Sequence, residues 1–170
     1  MEKLREKKGF ICDMDGVIYH GSTLLPGVSK FVDWLYKEDK EFLFLTNSSA
    51  RTPLELKLKL HDMGLDVDES HFYTSAQATA KFVAQQEHHC SAYVIGQLGL
   101  VGALYEAGVV ISDKDPDYVI VGEVSNYNYE TICKAVSLVL SGSKLIGTNS
   151  DLTGPTDHGL APSCRALIAP

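Results

Sequence analysis

Short apolar runs that break off into small polar residues alternate along this chain with stretches of helical spacing. Phe10-Ile11-Cys12 is the first such run, and an apolar run without alternation predicts a strand buried on both faces. After a turn-rich patch ending in Pro26-Gly27, Val28, Phe31, Val32 and Leu35 recur at helical steps, with Lys30, Asp33 and Lys37 elsewhere. Pro26 stands where a helix favours proline, in its first turn. Glu41 to Leu45 predicts a second buried strand, which ends in Thr46-Asn47-Ser48-Ser49. Strand, crossover helix, strand is the unit of a parallel sheet, and its connection is right-handed.

The same rhythm continues. Thr52-Pro53 opens a helix with Leu54, Leu58 and His61 or Asp62 at helical steps, and Gly64 is its expected C-cap. Phe72 to Ser75 predicts a short strand, and Ala76 to Gln86 a helix carrying Ala80, Val83 and Ala84. From Ser91 the pattern restarts, with strands expected at 92–96, 109–111, 117–122 and 144–149 and helices at 98–107 and 128–140. A polar loop from Ser150 to Gly159 then leads into an apolar segment from Leu160 to Pro170. Alternating strands and helices define the α/β class. With no composition shift to mark a boundary, the expected division falls near Lys81, giving parts 1–80 and 81–170.

Composition narrows the function classes. With 45% hydrophobic and 22% charged residues, the chain has the balance of a folded globular protein. A net charge of −7 argues against nucleic acid as a partner, and an anionic substrate needs a local cation to draw it in. Cys12, Cys90, Cys133 and Cys164 are scattered without a CxxC pair, and Cys12 is expected to pack as a small hydrophobe. Residues 1–8 alternate acids and bases, which is no signal peptide, and no apolar run reaches membrane-spanning length. A cytoplasmic protein with reduced thiols, and no membrane partner, is the expectation.

The candidate chemistry lies where the first run ends. Asp13 and Asp15 leave an extended chain on the same side, and two acids forced together repel unless something compensates them. Mg²⁺ resolves that conflict, since it prefers carboxylate, carbonyl and water oxygens. Gly16 allows a sharp turn and close approach of a ligand. In open α/β sheets ligands bind beyond the carboxyl ends of the strands, where Thr46 and Asn47, and later Thr148-Asn149, are also expected. Acids on one strand end and a hydroxyl with an amide on its neighbour make a phosphate-sized cup. There Asp13 suits a nucleophile forming an aspartyl-phosphate, Asp15 a general acid and then base, and Thr46 a phosphate donor. Backbone N–H groups from Met14 to Gly16 suit the phosphoryl oxygens. The simpler alternatives are a solvated Asp-Gly turn, and a helix N-cap or turn at Thr46-Asn47.

Asp13-Met14-Asp15-Gly16-Val17 resembles the first motif of the haloacid dehalogenase (HAD) superfamily, and Leu45-Thr46-Asn47-Ser48-Ser49 its second. Leu25-Pro26-Gly27, Tyr73 to Thr79, Tyr118 to Gly122 and Gly147-Thr148-Asn149 are similar to its NagD-like branch. The resemblance runs from Lys8 to the last residue. It implies a phosphatase of sugar phosphates, nucleoside monophosphates or aryl phosphates, built as a partial Rossmann-like parallel-sheet core plus an α/β cap domain. It makes Asp13 the nucleophile and a metal ligand, and Asp15 the acid/base, binding Mg²⁺ through its carbonyl. Gly16, Thr46 and Asn47 become phosphate binders. The loop from Asn149 to His158 would face the substrate, with Asn149 and Asp151 as contacts; a polar turn is the alternative for both.

The family pattern also includes a lysine and a second acidic motif beyond the cap, and neither falls within these 170 residues. The expectation is therefore weak or no turnover by the chain alone, with an exposed edge on the first strand that invites a homo-oligomer. Two other functions stay open: a phospho-acceptor receiver domain, which places its acceptor acid on a later strand, and a fragment that only associates with other chains. His88-His89-Cys90 suits a helix C-terminus better than a metal site, because adjacent helical histidines point apart. Trp34 is expected in the core and Tyr118, Tyr127 and Tyr129 as supports of the cap.

Overall fold

The first apolar run forms β1 (Gly9–Asp13), which the short helix α1 (Glu2–Arg5) precedes. In the computed structural model, residues 2–86, 89–156 and 159–170 are described. His88, Asp157 and His158 lie outside them. The chain divides into two compact units: the residues up to Thr46 with Pro53–Tyr73, and Asn47–Thr52 with those from Thr74 onward.

In the first unit, a small hairpin of β2 (Tyr19–His20) and β3 (Thr23–Leu24) leads to α2 (Val28–Lys37), β4 (Glu41–Thr46), α3 (Pro53–Asp62) and β5 (Phe72–Thr74). The sheet order is β1-β4-β5, and β1 runs parallel to β4 from Gly9↔Glu41 to Asp13↔Leu45. The apolar face read for α2 is the buried one: Val28, Val32 and Leu35 are inside and Phe31 is half-buried. They meet Met14, Ile18, Phe44 and Leu60 in one core.

Two expectations need correction here. In α3 the core takes Leu56 and Leu60, while Leu54 and Leu58 are half exposed at 51% and 52%. Both pairs are four residues apart, so spacing alone could not choose between the two faces. β1 is covered on one face only, with Phe10 and Cys12 half-buried and Ile11 71% exposed. Among the described residues β1 pairs with β4 alone, and Leu43 and Leu45 on that same side are only half-buried. Gly64 closes α3 as expected: its φ is +83°, its N–H donates to the His61 carbonyl, and Leu65 N–H reaches back to Leu60. Trp34 is half-buried and edge-on to Phe10, 5.4 Å between ring centres.

The second unit contains α4 (Ser75–Gln86), β6 (Ser91–Ile95), α5 (Leu98–Glu106), β7 (Val110–Ile111), β8 (Tyr118–Val121), α6 (Tyr129–Leu140) and β9 (Lys144–Gly147). After them come β10 (Thr153–Thr156), β11 (Gly159–Pro162) and α7 (Cys164–Ile168). Its parallel sheet has the order β7-β6-β8-β9. All four residues of β8 are buried because both faces of this strand are covered. Tyr118 and Ile120 join Ala80, Val83, Leu100 and Leu104 from α4 and α5. Val119 and Val121 join Leu138 of α6, with Leu167 and Ile168 of α7 packed against them.

The polar loop expected over 150–159 contains a strand instead, since β10 pairs antiparallel with β11 from Thr153↔Pro162 to Thr156↔Gly159. Thr153-Gly154-Pro155-Thr156 carries no apolar alternation to announce a strand. Tyr118 is buried and Tyr127 half-buried, its hydroxyl donating to the Leu167 carbonyl. Tyr129 is 79% exposed, and its hydroxyl is hydrogen-bonded to Cys133. The four cysteines are free thiols, and burial raises the Cys12 thiol above its ordinary value. No helix among the described residues is long and apolar enough to cross a membrane.

Asp117, just before β8, accepts from both the N–H and the hydroxyl of Ser91 at 2.7 Å, and these bonds hold its carboxyl below the usual range. A depressed carboxylate stabilises the fold above its unfolded pKa and loses that contribution as pH falls through the folded value. Ser91→Ala should therefore move the Asp117 midpoint partway back up in a carboxyl NMR titration, the Ser91 N–H bond remaining. An unmoved midpoint would disprove this pairing.

Candidate active site

In the first unit, parallel pairing sets Asp13 beside Leu45, so Thr46 closes β4 one residue beyond and both strands deliver to the same sheet edge. The chain then turns tightly around the Met14 carbonyl, which accepts N–H groups from Val17 (3.2 Å), Ile18 (2.8 Å) and Tyr19 (3.3 Å). Gly16 has φ +76° and open space where a Cβ would stand, so backbone conformation rather than crowding calls for glycine. Its N–H donates to the Tyr19 carbonyl at 2.7 Å. Met14 is fully buried, and with its side chain taken inward the flanking acids stay accessible: Asp13 is exposed and Asp15 half-buried.

Asp13 Oδ1 accepts the N–H of Met14 at 2.8 Å, and the Tyr19 hydroxyl faces Asp15 Oδ2 at 3.5 Å. Among the described residues Asp13 has no ion pair with a lysine or arginine. The Thr46 hydroxyl sits in a residue only 6% exposed. Two carboxylates one residue apart suit a hard cation, but they are only part of a shell. Among the described residues, no three His, Cys, Asp or Glu side chains gather as a cation site.

In the second unit Asn47, Asn149 and Asp151 come together. Asn47 Nδ2 donates to Asp151 Oδ2, Asn149 Nδ2 donates to the Asn47 carbonyl at 2.8 Å, and Asp151 N–H donates to Asn149 Oδ1 at 3.0 Å. Asp13, Asp15, Gly16 and Thr46 belong to the first unit. His20 is exposed, and Cys90 of the His-His-Cys run is buried with its thiol directed at the Val83 carbonyl.

Glu123 is the residue that sequence reading passed over. Its Oε2 accepts from the Ser48 hydroxyl (2.7 Å) and the Ser49 N–H (2.8 Å). Its Oε1 accepts from Asn149 Nδ2 (3.2 Å) and the Ser163 hydroxyl (3.1 Å). The signal that exposed Asp13 was present here too, an acid directly after a buried strand and its glycine.

The sequence over residues 10–110 matches the family model of haloacid dehalogenase-like hydrolases. Dihydroxyacetone phosphatase of Corynebacterium glutamicum is 39% identical over 160 residues, which cover 94% of this chain and 58% of that protein. Ribonucleotide monophosphatase NagD of Escherichia coli is 41% identical over 162 residues, covering 95% and 63%. The solved structure of that NagD superposes with a TM-score of 0.88 over 95% of this chain and 63% of its own. A 4-nitrophenylphosphatase from Thermotoga maritima, 32% identical, reaches 0.91 over 98% and 64%. The chain thus spans about three fifths of the length of the relatives it matches.

Proposed function

The chain belongs to the haloacid dehalogenase-like hydrolases, and from that premise we propose that it carries the nucleophile and acid/base of a Mg²⁺-dependent phosphomonoesterase. The substrate is a small phosphorylated metabolite: a sugar phosphate, a nucleoside monophosphate or an aryl phosphate. One observation carries the reading: the register that sets Asp13 and Thr46 at the same edge of a parallel pair, with Asp13 exposed and, among the described residues, not ion-paired with a lysine or arginine.

A carboxylate oxygen of Asp13 attacks phosphorus and the bond to the ester oxygen breaks. Asp15 gives its proton to that leaving oxygen, which departs as an alcohol. Asp15, now a carboxylate, takes a proton from water as the water oxygen attacks the aspartyl-phosphate, releasing inorganic phosphate and restoring Asp13. Thr46 donates its hydroxyl to a phosphoryl oxygen, and the Asp15 N–H donates to another, since the N–H groups of Met14 and Gly16 are bonded to Asp13 Oδ1 and the Tyr19 carbonyl. Asn47 also binds the phosphate, and Asn149 and Asp151 bind the rest of the substrate. Asp13 and the Asp15 carbonyl would hold Mg²⁺, whose charge would offset the repulsion between the carboxylate and the phosphoryl oxygens.

Incubation of the chain with an aryl phosphate and Mg²⁺, followed by acid quench and peptide mass spectrometry, tests this. A phosphoryl adduct is expected on Asp13, and chelation of the metal should suppress it. An adduct on another aspartate, as a receiver domain would give, would refute the assignment.

A further inference from the structure

The six residues Asn47–Thr52 connect two elements of the first unit, yet they are built into the second. Ser49 is fully buried there, and its hydroxyl accepts the Glu123 N–H at 3.1 Å and the Thr148 hydroxyl at 3.2 Å. A Cβ on Gly122 would stand 2.5 Å from that hydroxyl oxygen, so the fit allows no slack. The Glu123 carboxylate holds the same turn through Ser48 and Ser49 with one oxygen, and Asn149 and Ser163 with the other.

We propose that Glu123 is a positioning residue for phosphoryl transfer, fixing the Asn47–Ser49 turn that continues directly from Thr46. This rests on the phosphatase reading above. The chemistry of the four partners explains why the residue must be an acid. The Ser49 N–H and the Asn149 NH₂ can only donate, the amide being oriented by the Asp151 N–H on its oxygen, and they approach opposite oxygens of one carboxylate. A carboxylate accepts from both, with charge-assisted strength. A glutamine of nearly the same volume has one oxygen, so its NH₂ must face one of those two donors. Glu123→Gln therefore releases either the Ser48-Ser49 turn or Asn149 without opening a cavity. Asn47, itself a proposed phosphate binder, opens this turn, so loss of the turn's anchor displaces it. Small misplacements of groups around a reacting centre cost rate more than binding.

The test is the single-turnover rate of Asp13 phosphorylation by an aryl phosphate, measured against its concentration in the unaltered chain, E123Q, S48A and the double variant. E123Q should react about tenfold more slowly at saturation. S48A should slow the step in the same direction, and the losses should be less than additive in the double variant, since both changes act on the bonds of one carboxylate. Should E123Q fold poorly, S48A decides alone. Equal rates in the unaltered chain and the variants, or losses that simply add, overturn the inference while leaving the phosphatase reading intact. Absence of any adduct in the unaltered chain removes both.

Discussion

Asp13→Asn should yield no phosphoryl adduct at all, whereas Asp15→Asn should accumulate one. The two acids follow the same strand, one residue apart, but their proposed roles fall on different bonds. An amide at position 13 lacks the anionic oxygen that attacks phosphorus, and no neighbouring group can replace it in line. At position 15 the loss is of a proton donor first and a proton acceptor second. An aryl leaving group departs as a stabilised phenolate and needs little help, so the first step survives. The second step needs water deprotonated and has no such relief, so the aspartyl-phosphate should persist, its hydrolysis slowed roughly 10²- to 10⁴-fold. With an alkyl phosphate the contrast should vanish, both variants staying unlabelled. Intact-protein mass spectrometry after quench separates these outcomes. Equal labelling of the two variants would remove the division of roles.

Much of this arrangement was legible in the order of residue types, for a physical reason. A buried parallel strand must be apolar, and its C-terminal end must meet water or ligand, so Phe10-Ile11-Cys12 followed by Asp13, and Phe42 to Leu45 followed by Thr46, announce both a strand and a candidate site. The residues that escaped detection owe their roles to partners distant in sequence. Glu123 matters because of Ser48, Ser49, Asn149 and Ser163, and no local pattern records where those lie. The exposure of Ile11 has the same origin, since whether a second face is covered depends on what packs there, not on the strand's own letters. α3 failed differently. Leu54, Leu56, Leu58 and Leu60 alternate with polar residues, so two opposed faces score alike and only packing decides.

Packing also dictates that two glycines in one helix should respond to alanine with opposite signs. Gly99 lies at the start of α5, where a Cβ would come within 2.7 Å of the Arg51 carbonyl carbon and oxygen and of the Ser49 carbonyl oxygen. Those are backbone atoms of a segment held by the Gly99 N–H bond to Ala50 (3.1 Å) and by the contacts of buried Ser49. No side-chain rotation can relieve the clash, so Gly99→Ala must push α5 and the Ser49–Arg51 segment apart. Overpacking of this kind typically costs about 1 to 3 kcal/mol, and backbone on the receiving side argues for the upper part of that range. Gly102, one turn further along, has nothing within 4 Å of its would-be Cβ. There alanine adds no clash and removes glycine's entropic cost, a gain of up to about 1 kcal/mol. Urea unfolding of both variants reads the difference directly. A stabilised Gly99→Ala would show that the 47–52 segment yields easily, and the tight seating inferred for Ser49 beside Glu123 would fall with it.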